Sequence, residues 1–441
     1  MINNCALQAG ACPAGRKLRG GVLASLLLVC SSMALAQAPA ANAHLDGANT
    51  AWMLVASALV LLMTLPGIAL FYGGMVRQRN VLSTMSQSVA IAALVTVLWC
   101  LFGYSLSMRP GSPYLGGVDR FFLDGLRLNS LAGNDGANIP ESVFSMFQLT
   151  FAIITTALIP GAFAERMKFS AVLLFSALWS LVVYAPVAHW VWAPDGWLGK
   201  MGALDYAGGT VVHINAGVAG LVCAFVLGPR TGFGRQAMPP HNLALTITGA
   251  GLLWVGWFGF NAGSALAADS RAGMAMLVTQ IAAATAAMAW MGIEWMLRGR
   301  PSALGLVSGA VSGLVAVTPA SGYIAPNAAL LLGLVAGVGC YLGATALKRM
   351  LGYDDALDAF GIHGVGGIIG AIMTGFLADS TVGGVHGNVL TQLIGVGVTM
   401  VYSGVLTFIL LVVVGTLVGL RVEESTEAEG LDIVEHGEAV A

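Results

Sequence analysis

Uncharged, predominantly apolar runs of about 18 residues or more recur along nearly the whole chain, each long enough to cross the hydrocarbon core of a bilayer as a helix. Lipid offers the backbone no hydrogen-bond partners, so a run of this kind must satisfy its own N–H and C=O groups, which a helix does. The chain is 57% hydrophobic and only 9% charged, against roughly a quarter charged in a soluble domain. Its formal net charge of −2 leaves no electrostatic footprint for nucleic acid. The pattern predicts an all-α polytopic membrane protein. Eleven spans are expected, over 51–73, 85–106, 142–164, 169–191, 208–228, 243–263, 273–296, 302–319, 328–347, 360–378 and 393–418.

The first 36 residues read differently. Arg16, Lys17 and Arg19 precede the short apolar run "GGVLASLLLVC", and the small-residue triplet Ala34–Ala36 follows. That is the layout of a cleaved secretory signal peptide. Cleavage places the first span's N-terminus outside the cell, and the basic residues agree. With that start, Arg77, Arg79, Arg166, Lys168, Arg230, Arg235, Arg298, Arg300, Lys348, Arg349 and Arg421 all fall inside. Only Arg109, Arg120, Arg127, Lys200 and Arg271 fall outside. The expected organisation is a signal peptide (1–36), a transmembrane domain (37–421) and a cytoplasmic tail (422–441). The tail's acidic composition predicts a solvated, partly disordered end.

Of six cysteines, Cys5, Cys12 and Cys30 lie in the signal segment, and Cys100, Cys223 and Cys340 are scattered over separate spans. They form neither a disulfide framework nor a metal set. Of seven histidines, only His213 and His363 fall well inside spans, the fifth and the tenth. An odd number of helices separates them, so they enter from opposite sides. This predicts two five-helix halves, helices 1–5 and 6–10, related by an inverted pseudo-two-fold axis, plus a final helix. Each histidine follows an acid, an aromatic and a glycine, with Asp205 and Asp358 expected to cap the two helix starts. Straight full-length helices would hold the rings roughly 10 Å or more apart in depth, at 1.5 Å rise per residue. The rings therefore meet only if both helix starts are recessed, which is tolerated where they line a cavity, or if the helices tilt strongly. Contact between the imidazoles is the expectation.

A pair of imidazoles in an apolar passage is favoured uncharged and offers one donor and one acceptor per ring. Such a passage provides too few oxygens to replace a metal cation's hydration shell. A cation able to give up a proton is under no such restriction, which points to ammonium entering and ammonia traversing. A bis-histidine haem is the alternative this pairing also allows, but it needs a wide gap between helices that the abundant glycines, 59 in all, argue against.

Five stretches carry a resemblance: "GALDYAGGTVVHINAG", "HNLALTITGAGLLWVGWFGFNAGSA", "FQLTFAIITTALIPGAFAERMKFSAVLLF", "VTPASGYI" and "DDALDAFGIHGVGGIIGAIMTGF". In this order they resemble the ammonium transporter (Amt) family, kin to the Rhesus proteins, over essentially the whole chain after the signal segment. The resemblance implies ammonium transport rather than catalysis, with no cofactor or metal. It implies an outer recruitment site at Phe147, Trp192 and Ser264, a phenyl gate at Phe151 and Phe260, and a pore centre at His213 and His363. Asp205 is implied as a structural and electrostatic acid beside the recruitment site. Rhesus proteins generally lack the recruiting tryptophan, so Trp192 favours the Amt branch over a neutral gas channel. The family pattern further implies a homotrimer with one pore per subunit, in contact with membrane lipid. It also implies an intracellular PII-type nitrogen-signalling partner at an inner mouth near Asp355 and Asp358. A sensor with a signalling tail is the remaining alternative.

Overall fold

The structure, a computed structural model, describes residues 44–132 and 138–440. The expected signal peptide and its three cysteines lie outside the described residues. Among the described residues the architecture is helical throughout, without strands. Ten helices are long and apolar enough to cross a bilayer: α1 (Gly47–Met75), α2 (Gln78–Met108), α3 (Glu141–Phe163), α4 (Phe169–Lys200), α5 (Gly209–Leu227), α6 (Leu243–Gly263), α7 (Ser270–Arg298), α9 (Pro326–Leu351), α10 (Phe360–Leu377) and α11 (Val389–Val418). Between α7 and α9 lies a shorter apolar helix, α8 (Ala303–Val317).

At 15 residues, α8 extends about 22 Å, short of a hydrocarbon core of about 30 Å. Proline explains where it stops. Pro319 has no N–H for the Val315 carbonyl, which takes the Thr318 N–H at 3.3 Å instead. The chain then runs on as turns through residue 323.

The two halves match in detail at the lead-ins to α5 and α10. Each begins with a wide, π-type turn, Gly209–Ile214 in one and Phe360–Gly364 in the other, and each turn carries its histidine. Such turns recur at functional positions in helices. Eight residues before each histidine stands an aspartate whose carboxylate caps the helix. Asp205 accepts from the N–H groups of Gly208, Gly209, Thr210 and Val211 at 2.6–3.0 Å. Asp355 accepts from Ala359 and Phe360 at 3.0 and 2.8 Å.

The next residue in each half donates to the broken end of the matching helix in the opposite half. Tyr206 N–H bonds the Pro319 carbonyl beyond α8, and Ala356 N–H bonds the Ala162 carbonyl at the end of α3. Three residues after each acid the backbone turns left-handed, at Gly208 (φ +116°) and Asp358 (φ +59°).

Asp358 is therefore not the cap expected from the sequence. It corresponds to Gly208 rather than to Asp205, and its carboxylate pairs with Lys348 Nζ at 2.7 Å. Asp355 is the capping acid.

Three acids of the C-terminal segment, expected to be solvated, find N–H partners in the protein instead, while Glu423, Glu424, Glu429 and Glu438 are exposed. Asp432 is buried and accepts from Leu82 and Ser83 at the start of α2. Glu435 accepts from Phe169 at the start of α4. Glu427, also buried, joins Arg421 and the Thr231 N–H just beyond α5.

Candidate functional site

At the end of the bundle bearing Trp192, a cavity of about 530 Å³ opens between α3, α4, α6 and the α5 lead-in. Phe147, Phe151, Trp192, Asp205 and Ser264 all line it. Phe147 and Phe151 stand one turn apart on α3, their rings edge to face with centroids 4.9 Å apart. Trp192 meets Phe151 edge-on at 5.6 Å. Its indole N–H donates to the Asp205 carbonyl at 2.9 Å, which fixes the ring's orientation. Ser264 donates its hydroxyl hydrogen within its own helix, to the Phe260 carbonyl at 2.8 Å. The serine oxygen is left with lone pairs to offer a donor in the cavity.

Asp205 itself points away from this role. Its two oxygens are engaged by four backbone N–H groups, so it organises the α5 start and is not a ligand. Burial raises its carboxyl above the ordinary range, against the opposing pull of those N–H bonds.

Phe151, in the cavity wall, meets Phe260 with centroids 4.3 Å apart and planes 34° apart. Beneath them the two imidazoles meet as expected. The Nδ1 atoms of His213 and His363 lie 3.3 Å apart, and the rings are inclined by 21°. The approach is possible because α5 and α10 touch backbone to backbone: a Cβ on Gly217 would collide with Gly364.

An Nδ1–Nδ1 hydrogen bond needs one donor and one acceptor, so the rings adopt complementary tautomers. Two nitrogens flanking an iron would stand about 4 Å apart at a metal–nitrogen bond of about 2 Å. The observed spacing leaves no room for a haem between them. His213 Nε2 is buried without a protein partner.

A second space, about 10 Å³, lies against both rings and is walled by apolar and aromatic side chains, among them Phe71, Leu158, Leu253 and Val311. That is room for about one water-sized molecule. No charged side chain lines it.

At the opposite end, Asp354 and Asp355 lie just before α10. Asp354 takes a bidentate bond from Arg230, both distances 2.8 Å, and Arg230 also reaches Glu165 at 3.2 Å. Glu165 binds Arg77 as well. Burial opposes ionisation of both acids, but the guanidinium of Arg230, joined by that of Arg77 at Glu165, overcomes it. Both carboxyls stay below their ordinary range. Asp355, whose nearest cation is the single ammonium of Lys348, is raised by burial instead.

All the predicted recruitment, gate and histidine residues are thus brought together along one line. Asp355 and Asp358 lie at the opposite end, where Asp355 is fully buried as the capping acid and Asp358 pairs with Lys348. Sequence reasoning missed Trp257, whose ring stacks on His213 with centroids 5.4 Å apart and planes 23° apart. Its signal was helical spacing, because Trp257, Phe260 and Ser264 recur at intervals of three and four along α6. His189 was read as an easy end position. It is fully buried in the Ala185–Trp192 stretch of α4, with Nδ1 at 3.2 Å from the Ser107 carbonyl and Nε2 at 2.8 Å from that of Ser112.

The chain is similar to known proteins along most of its length. The family model described as Ammonium Transporter Family matches residues 51–441. A protein of Aquifex aeolicus named ammonium transporter is 49% identical over 425 residues, covering 95% of this chain and 98% of that one. The crystal structure of Saccharomyces cerevisiae Mep2 superposes with a TM-score of 0.79 at 36% identity, covering 86% of this chain and 88% of that one. A structure described as Sensor Amt Protein superposes with a TM-score of 0.82 at 28% identity, covering 88% and 98%.

Proposed function

This chain belongs to the ammonium transporter family, and from that premise we propose a specific route by which it takes up ammonium. With α8 counted as a span, the chain crosses the membrane eleven times, N-terminus outside and C-terminus in the cytoplasm of a cell bounded by its inner membrane. The Trp192 end then faces outward. Ammonium enters the outer cavity and settles against Trp192 and Phe147, where a partly desolvated cation gains about 1–2 kcal/mol from the ring faces. The Ser264 oxygen accepts one of its N–H bonds. Phe151 and Phe260 admit it only as it sheds water.

Below the gate no fixed charge or oxygen-rich shell replaces that water. The cation yields its proton there, and the uncharged molecule passes along His213 and His363, which exchange hydrogen bonds with it and relay the proton separately. Potassium has no proton to yield and stays outside. The observation that carries this reading is the pair of bonded imidazoles beside a small space lined by no charged side chain, with the contacting rings of Phe151 and Phe260 next to them. The active form in this reading is a homotrimer with a pore in each subunit. A PII-type protein blocks the inner mouth at Asp355 and Asp358.

Electrical recording from reconstituted membranes tests it. Ammonium pulses are expected to evoke inward current that potassium does not. His213→Asp, which places a carboxylate in the dry segment, is expected to admit potassium. A variant that conducts with unchanged selectivity excludes the histidines from the filter. Ammonia flux without any current favours a neutral, Rhesus-like gas channel.

A sensing role is the second reading. It is favoured by the likeness to the sensor protein and by the tail's attachment to α2 and α4. Removal of 422–441 that silences a nitrogen response while uptake persists supports it.

A further inference from the structure

One face of α6 supplies Phe260 and Ser264 to the proposed route, yet the helix also carries a buried polar chain that the route does not use. The Trp257 indole N–H donates to Thr318 Oγ1 at 2.8 Å. Thr318 is fully buried and donates its own hydrogen to the Leu314 carbonyl at 2.8 Å, with Asn261 Oδ1 at 3.3 Å. Asn261 donates to Thr279 Oγ1 at 2.9 Å, and Thr279 donates to the Ala275 carbonyl. Hydroxyls from two neighbouring helices thus lock the rotation of α6.

Thr318 also occupies a particular place in the chain. It is the residue before Pro319, whose carbonyl holds the lead-in to α5 through the Tyr206 N–H. Its hydroxyl and the adjoining peptide therefore reach His213 by two routes.

The ring of His213 needs such support. Among the described residues its only polar contact is Nδ1 to His363, since Nε2 has none. The terminal torsion of a histidine is broad, so a single bond leaves the ring free to pivot about it. Stacking of Trp257 on one side, with Phe260 centred 6.0 Å away, removes that freedom. A Trp257 ring without its N–H partner would itself be released to turn, because a buried unpaired donor seeks another acceptor.

We propose that Thr318 is a positioning residue for the imidazole pair: its hydroxyl holds Trp257 parallel to His213 and thereby sets His213 against His363. The inference rests on the transport reading for its effect on conduction, but not for its effect on ring geometry.

The test uses the full chain in proteoliposomes, with Thr318→Val (same shape, no hydroxyl), Thr318→Ser (hydroxyl kept) and Trp257→Phe (ring kept, N–H removed). Ammonium-evoked current per reconstituted protein is expected to fall roughly tenfold in Thr318→Val and Trp257→Phe, the cost of one unpaired buried group or lost bond. Thr318→Ser is expected to stay within about twofold of the unaltered protein. The double variant is expected to be no worse than either single one, because both remove the same bond.

Full current per protein in Thr318→Val, or multiplicative losses in the double variant, overturns the proposal. Should Thr318→Val fail to fold, full current in Trp257→Phe overturns it alone. Histidine 15N spectra supply a readout that needs no transport: the His213 and His363 Nδ1 signals are expected to shift in Thr318→Val and not in Thr318→Ser. Unshifted signals sink the positioning role. Absence of ammonium current in the unaltered protein sinks the transport reading instead.

Discussion

Trp192 shows how far a single residue can be understood from its letter. A tryptophan at the outer end of an apolar run is ordinarily an interfacial anchor. What separates it from that default is the hydrogen bond from its indole to Asp205, which turns its face to a cavity shared with Phe147 and Ser264. On the proposed route, replacing it removes the cation–π attraction and leaves the passage below intact. For Trp192→Leu the half-saturating ammonium concentration is expected to rise roughly tenfold, the equivalent of about 1–2 kcal/mol. Saturated current is expected to change far less, and a concentration series of evoked currents separates the two. Residues of this kind were legible because aromatic and hydroxyl side chains at fixed helical intervals leave a pattern in sequence. Thr318 was not. Its meaning lies in a bond to a helix 61 residues away in the chain, and no local periodicity marks it.

At the scale of elements, the decisive devices are the lead-ins to α5 and α10. Depth arithmetic on straight helices called for recessed starts or strong tilt before the rings could meet, and the structure brings them into contact on wide turns capped by aspartates. Assigning the second cap was harder. The choice of Asp358 followed its closeness to the apolar run, whereas the physical constraint is geometric: an equal interval of eight residues from acid to histidine in both halves. Asp355 meets it.

The two acids therefore differ in consequence. Asp355→Ala leaves two N–H groups at the α10 start without their acceptor and is expected to cost about 1–2 kcal/mol. Asp358→Gly loses a partly exposed ion pair worth at most about 1 kcal/mol while relieving a left-handed backbone strain of about 1–2 kcal/mol. Its net effect is expected near zero. Thermal unfolding midpoints of the purified variants decide the matter, and equal losses would reverse the assignment.

Across the whole molecule, one cluster of largely buried charges, Arg77, Glu165, Arg230 and Asp354, ties stability to pH. Glu165 and Asp354 ionise at lower pH in the folded protein than in the unfolded chain. Their contribution is thus complete above the unfolded carboxyl values of about 4 and is lost as pH falls through the folded ones. The unfolding midpoint is expected to decline from about pH 5 downward. Arg230→Met, which strips both acids of a shared partner, is expected to lower the midpoint at neutral pH and flatten that decline. An unchanged acid profile would show that the cluster does not govern it.

The C-terminal acids make a separable prediction. Asp432→Ala is expected to speed amide exchange at residues 81–84, and Glu435→Ala at 169–172, each leaving the other site alone. Acceleration at both sites from either change would mean that the segment detaches as a unit. The sequence showed that this segment is acidic. Its attachment was hidden because isolated carboxylates carry no record of which N–H groups they will meet.

That attachment bears on synthesis. The carboxylate that completes the beginning of α2 is encoded 350 positions after the Leu82 N–H it serves. Helices threaded into the bilayer early therefore wait, unfinished at one end, until the segment beyond α11 has been made. A message cut short beyond α11 would still yield every apolar helix, and the defect would show only as a frayed edge where quality-control proteases find their grip.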